Sequence, residues 1–497
     1  MLVFGYAPFQ LFPLPVFALA GLFALMLNQA TPGRSALVGL CFGVGLFGAG
    51  VSWIYISLHE YGGMSVLLAV IATIGFCGFL ALFYAAFGMV AWACRSRGTL
   101  LRIIALPACW VAFEWLRGVL FTGFPWLAVG YSQTAPSPLA GYAPVFGVYG
   151  ISLLLAISAM LLLDCLSCWK NLKRWSTVLL FGIWTVGGML QQMQWTSPAG
   201  APFSVTLLQG NVPQNEKWRA ENVAPTLQLY RSLLQRSSGR LIVMPETALP
   251  LFADELPAVY IRDVITHLRA AGADLIVGVP ERVVDNDKVR YFNSAIGMGT
   301  SPTQTYRKQH LVPFGEYLPA QALLSWVLDF LHIPLADMSP GGPGQAPLSL
   351  AGQQVAVNIC FEDVFGEEII RAVPNATLLV NLSNLAWFGN SLALPQHLQI
   401  AQMRAMEAGR YMLRATNTGA TAIIDQRGRV VQQAKPHRTL ALSGMAQGFV
   451  GATPYVAAGN LPVLIYCGAG ILLAFGTTAR RYGQHLASRK RVRRFLS

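Results

Sequence analysis

The side chains best placed to do chemistry sit at the ends of three apolar runs. From Val355 to Ile359, β-branched residues alternate with smaller or polar ones, the period-2 pattern of a strand. Cys360 follows where the chain must turn, with Glu362 and Asp363 just behind it. Leu241 to Met244 leads through Pro245 into Glu246, and Tyr306 to Glu316 carries Lys308 and a second carboxylate. A thiol at a strand end is presented at the rim of a sheet, with the next backbone N–H groups free to bind an anion. A carboxylate can take the thiol proton if it is within reach and burial raises its pKa. A lysine can hold the oxyanion of a tetrahedral intermediate and keep a thiolate charged. Cys, Glu and Lys therefore suffice for acyl transfer through a thioester. Singly, each has a plain structural explanation: a core Cys, a solvated Glu after Pro, a surface Lys beside Arg307. The three together point to a site.

The elements that must position these residues belong to an unusual chain. It has 497 residues, 54% hydrophobic and only 11% charged, with a formal net charge of +13. Soluble domains carry about 25% charged residues, so this composition implies a membrane protein in whole or part. The tail from Arg480 to Arg494 holds seven basic residues and no acid. Beside an apolar helix it reads as an anchor facing anionic lipid, and no nucleic acid partner is expected. Seven of the eight cysteines lie in or at the ends of apolar segments, where Cys acts as a small hydrophobe. Cys360 alone lies in the polar part, without a disulfide partner there. The Cys165/Cys168 pair has no second pair to complete a zinc site. His310 and His397 are not spaced as metal ligands, so neither metal nor cofactor is expected.

Apolar runs suggest seven spans, near Pro13–Asn28, Ala36–Leu58, Ser65–Ala93, Ile103–Leu120, Gly147–Trp169, Ser176–Gln192 and Leu461–Thr478. Glu114 and Arg117 fall inside the fourth. Arg34, then Arg95, Arg97 and Arg102, then Lys170, Lys173 and Arg174, then the tail fall on one side, which the positive-inside rule makes cytoplasmic. His59-Glu60, the Thr122–Phe146 loop and the polar region fall outside. Met1–Gln10 is apolar, too short to span, and lacks the basic start and cleavage site of a signal peptide.

The polar region alternates strand and helix patterns. Strands are expected at Phe203–Gln209, Leu241–Met244, Asp274–Val279, Phe292–Met298, Gln354–Ile359, Thr377–Asn381 and Thr421–Asp425. Helices are expected at Ala224–Gln235, Leu256–Ala271, Glu367–Ala372 and Pro395–Arg410. Such alternation implies an α/β layered domain. The expected organisation is a transmembrane helical bundle over 1–196, a catalytic domain over 197–453, and a last transmembrane helix with its basic tail over 454–497.

At this point the sequence resembles a known family. Met244-Pro245-Glu246-Thr247-Ala248, Tyr306 through Glu316 and Ile359-Cys360-Phe361-Glu362 are similar to motifs of the carbon–nitrogen hydrolase (nitrilase) superfamily. Leu208 through Gln214 and Asn384 through Gly389 resemble its membrane-embedded branch, the apolipoprotein N-acyltransferases, as do Glu114 through Gly118 and Gly123 through Trp126. The resemblance implies an α-β-β-α sandwich on a transmembrane bundle of eight helices, one more than the seven read here. Either the start lies upstream of Met1 or the first helix is shortened. It implies Glu246 as general base, Lys308 as oxyanion stabiliser and Cys360 as nucleophile, with Glu316 and Glu362 in support and Trp218 and Trp387 near substrate. Position 385 is Leu where Asp is usual, and position 361 is Phe where Tyr is common.

The implied reaction moves a fatty acyl chain from a phospholipid, through the Cys360 thioester, to the N-terminal amine of a diacylglyceryl-modified lipoprotein. The implied setting is the bacterial inner membrane, as a monomer, with the domain on the periplasmic side. Ping-pong kinetics would follow. Ala322–Leu335 is apolar nearly all round, which fits a core helix or an interfacial lid that admits acyl chains. Two rival readings remain. One is a membrane-tethered amide or nitrile hydrolase with the same triad. The other is a non-enzymatic scaffold, which the scarcity of intramembrane charge disfavours as part of a transporter.

Overall fold

A computed structural model describes residues 1–167, 174–285, 288–318 and 337–475. The apolar stretch Ala322–Leu335, the basic tail, Lys170, Lys173 and Cys168 lie outside the described residues.

Among the described residues, four helices are long and apolar enough to cross a membrane: Pro32–Gly50, Val66–Cys94, Thr99–Thr122 and Pro138–Leu166. Three shorter apolar helices, Leu14–Leu27, Trp175–Leu190 and Leu461–Phe475, join them. Leu67, Ile71, Ile74, Val178, Phe181 and Leu472 are exposed, an outer face suited to lipid rather than water. Small residues let the helices approach. A Cβ at Gly39 would lie 2.0 Å from the Tyr84 carbonyl oxygen, and one at Gly88 2.3 Å from that of Ser35.

One expected span is shorter than its apolar run. The helix from Pro32 ends at Gly50, and Ile54–Ile56 and Ser57–Tyr61 form separate short turns. Trp53 explains part of this, since its indole N–H turns back on the Gly50 carbonyl at 3.0 Å. The charged span Thr99–Val119 is a real helix with its charges turned inward. Glu114 accepts from the Val129 N–H at 2.9 Å. Arg117, 2% exposed, donates to the carbonyls of Phe124 and, at 2.8 Å, Trp126. Both residues grip one loop.

The polar region folds as two six-stranded sheets. The first runs β12(Leu440–Val450)-β1(Ser197–Gln209)-β2(Leu241–Val243)-β3(Asp274–Asp285)-β4(Lys288–Gly299)-β5(Gln304–Arg307). The second runs β11(Val430–Gln433)-β10(Ala422–Ile424)-β9(Met412–Thr416)-β8(Leu378–Ser383)-β7(Gln353–Ile359)-β6(Leu348–Leu350). Each has a parallel centre, β1-β2-β3 and β7-β8-β9, flanked by antiparallel edges. Residues such as Val205, Val243, Val357 and Leu413 form the core between the sheets. Helices Ala220–Gln235 and Ala258–Ala271 cover the outer face of the first sheet. Helix Ala393–Ala408 covers the second and joins its core to that of the membrane bundle. The layers are α-β-β-α, as expected.

Five strands, β5, β6, β9, β11 and β12, carried no expectation from the sequence. β5 is polar, β9 carries Arg414 at its centre, and β12 contains Gly444 and Gly448. Their patterns hide the strand signal.

Candidate active site

The strand ends bring the expected residues together at one rim. Cys360 follows β7 directly, with φ at +53° and a 3₁₀ turn over Cys360–Val364 behind it. A non-glycine residue at positive φ is uncommon and must be held by its surroundings. Two contacts hold it. Asn381 on β8 donates to the Cys360 carbonyl at 3.2 Å. Glu362 accepts from Ile359 N at 2.6 Å, Gln309 N at 2.7 Å, His310 N at 3.1 Å and the Tyr306 hydroxyl at 3.0 Å. Glu362 thus ties the thiol's turn to the segment that carries Lys308. Burial pushes its carboxyl up to about 7, against those N–H donors and the Lys308 ammonium.

Glu246 stands in the turn after β2. Pairing with β3 continues past the strand, with Met244 N on the Ile276 carbonyl and Ala248 N on that of Gly278, both at 2.8 Å. Gly278 is required there, because a Cβ would come within 2.4 Å of the Pro245 oxygen. The Glu246 carboxylate is 7% exposed and accepts from Asn293 Nδ2 and Asn384 N, each at 2.8 Å.

Lys308, 1% exposed, follows β5 and prolongs its ladder by donating its backbone N–H to the Asn293 carbonyl at 2.8 Å. Its Nζ lies 2.9 Å from Glu316 and 3.7 Å from Glu246. Burial pulls the ammonium down, but Glu316, Glu246 and the Cys360 sulfur outweigh it and hold Lys308 above its ordinary value. Glu316 also accepts from Asn293 at 2.9 Å and from Val312 N at 2.8 Å. Burial pushes the Cys360 thiol up, Glu246 adds to this, and Lys308 opposes it. Cys360 is thus a free, partly exposed thiol beside a lysine and a carboxylate.

The remaining expected residues are Trp218 and Trp387. Trp218 follows Lys217, whose Nζ lies 5.9 Å from the Trp218 ring centroid. Trp387 lies in the turn Leu385–Phe388 and packs edge-on to Tyr61 of the membrane part, 6.0 Å between centroids. The unusual Leu385 is fully buried in the apolar core shared with the bundle. Phe361 stacks on Phe124 at 6.3 Å, so the turn of the thiol also meets the loop gripped by Arg117.

Sequence reasoning missed Asn293, Asn384 and Lys217. Asn293 bridges Glu246 and Glu316 through one amide nitrogen. Its only signal was a polar residue inside the apolar strand run Phe292–Met298. Behind the thiol, Asp363 accepts from His397 Nε2 at 2.5 Å and Arg414 at 2.7 Å, a fully buried network. No group of three or more potential metal ligands occurs among the described residues.

Residues 1–161 match the family model for the apolipoprotein N-acyltransferase N-terminal domain, and residues 204–455 match that for carbon–nitrogen hydrolase. The chain is 53% identical to an apolipoprotein N-acyltransferase of Nitrosomonas europaea, over 97% of this chain and 96% of that protein. A second, from Methylococcus capsulatus, is 44% identical over 98% of this chain and 96% of that protein. Among solved structures, an amidase from Nesterenkonia sp. aligns with 17% identity and a TM-score of 0.37, covering 52% of this chain and 94% of that one.

Proposed function

The chain belongs to the apolipoprotein N-acyltransferase family, and from that premise we infer that it acylates the N-terminal amine of a lipoprotein in two half-reactions at Cys360. Glu246 accepts the thiol proton as sulfur attacks the ester carbonyl of a membrane phospholipid. Lys308 faces the oxyanion that forms. Collapse expels a lysophospholipid, whose leaving oxygen takes the proton from Glu246, and leaves an acyl thioester on Cys360. The α-amine of the lipoprotein's diacylglyceryl cysteine then attacks the thioester carbonyl. Glu246 takes the amine proton and returns it to the departing sulfur, and the products are an amide and the free thiol. Glu316 and Glu362 support the lysine and the nucleophile's turn, and Trp218 and Trp387 border the substrate. The exposed apolar helices support a reaction at a membrane. The inner membrane, with the domain over 197–453 on the periplasmic side, suits a substrate that never leaves the bilayer. The enzyme works as a monomer on this reading.

The observation that carries the transferase reading is the contact of the thiol's own turn with the membrane part. Phe361 stacks on Phe124, and the Val364 carbonyl accepts from the Tyr131 hydroxyl at 3.3 Å. A hydrolase of small soluble amides has no use for that contact.

The test supplies detergent-solubilised full-length protein with a diacyl phospholipid and a diacylglyceryl-cysteinyl peptide. The expected product is the peptide heavier by one acyl group in amide linkage, absent with Cys360→Ala. Release of ammonia from small amides, with no peptide acylation, would move the assignment to the hydrolase.

A further inference from the structure

Lys217 lies in the loop between β1 and helix Ala220–Gln235, and nothing in the triad chemistry uses it. It is 2% exposed, a rare setting for an ammonium without a partner. Among the described residues it forms no ion pair. Its Nζ donates instead to the Thr247 hydroxyl at 2.6 Å. Thr247 is the residue after Glu246 and has φ at +44°, a conformation that a β-branched residue adopts only when held. The same loop reaches Glu246 by a second route. Gln214 accepts from Asn384 Nδ2 at 2.6 Å, and Asn384 N donates to the Glu246 carboxylate.

The charges around Glu246 are few. Lys308 stands 3.7 Å away but sits closer to Glu316. Arg414 is within electrostatic reach and is bonded to Asp363. The Cys360 thiol also faces Glu246, and Asn293 bridges that carboxylate to Glu316. Two carboxylates, bridged by Asn293, thus share Lys308, and Arg414 is taken by Asp363, which leaves Lys217 without an ion pair of its own among the described residues.

Resting on the reading of Glu246 as the base, we propose that Lys217 is a positioning residue for it. Through its hydrogen bond to Thr247 it fixes the turn that aims the carboxylate, and it supplies a second buried cation beside the base. A neighbouring cation favours the charged form of an acid, and the effect grows when both are buried. Burial pulls the Lys217 ammonium down to about 8, and Glu246 opposes this.

The experiment measures single-turnover acylation of Cys360 by intact mass, in micelles of a diacyl phospholipid, from pH 5 to 9. It uses full-length parent and variants, with thermal melting as a check on folding. Lys217→Met should slow acylation at pH 7 by about tenfold and move the acid limb of the profile up by about one pH unit. Lys217→Gln should do the same, and stands in if the methionine variant melts early. Lys217→Arg should return the limb to its parent position, and Thr247→Val should lower the rate without moving it. An acid limb unmoved in both neutral variants, whatever their rates, would overturn the proposal. Glu246→Gln is run beside them. If it still acylates at the parent rate, the reading of Glu246 as base has failed, whatever the Lys217 profiles look like.

Discussion

A thiol held protonated is a poor nucleophile, and Cys360 is held so by burial and by Glu246. On the proposed mechanism Glu246 accepts that proton from within the same cluster, with Lys308 opposite. Cys360 and Glu246 were legible as candidates because each follows a strand pattern, and Lys308 because its chemistry complements theirs in a segment that resembles a known motif. Asn293, Asn384 and Lys217 were not, because an amide in a strand and a lysine in a loop have many ordinary uses. Only the folded distances single them out. Glu362 gives a pH test at this scale. Its carboxyl sits at about 7 in the folded chain against an ordinary 4.5. The native state therefore binds more protons than the unfolded one between those values, and stability from this group is full below about 4.5 and declines as pH rises to about 7. Thermal melts should show the advantage of the parent over Glu362→Gln narrowing across that window. An advantage that widens with pH would contradict the assignment.

Helix Ala393–Ala408 decides how the domain meets the membrane part. The sequence reading placed it at Pro395–Arg410 but could not foresee its role, because it is polar and yet buried all round. Gln396 accepts from the indole N–H groups of Trp126 at 2.8 Å and Trp53 at 3.3 Å. Gln399 accepts from Ala7 N at 3.0 Å, and Glu407 from Val148 N at 2.8 Å. One face thus lies on the second sheet while these side chains satisfy backbone and indole donors of the bundle, so an apolar stripe was never its signature. Gln396→Leu should strand the Trp126 N–H, while Trp53 keeps the Gly50 carbonyl. One orphaned buried donor costs about 1–3 kcal/mol. The full-length variant should melt measurably lower in detergent, and an unchanged melting temperature would mean that the helix does not clamp the two parts.

At the scale of the molecule, low charge announced the membrane part and the alternating patterns announced an α/β domain. Hidden from both was the way they join. Glu114 and Arg117, which made a span look doubtful, instead hold the 124–129 loop against the domain. Trp126 of that loop lies 5.1 Å from the His397 ring, and His397 binds Asp363, three residues beyond Cys360. The thiol is therefore framed from behind by groups that trace back to the bundle. The central claim is that Cys360 carries the acyl group between donor and acceptor. Its most direct test is the mass of the Cys360 peptide from full-length protein incubated with phospholipid and no acceptor. The expected result is a fatty-acyl mass on Cys360 that hydroxylamine removes and an acceptor amine discharges. An unmodified Cys360 in a preparation that still acylates the peptide would contradict it.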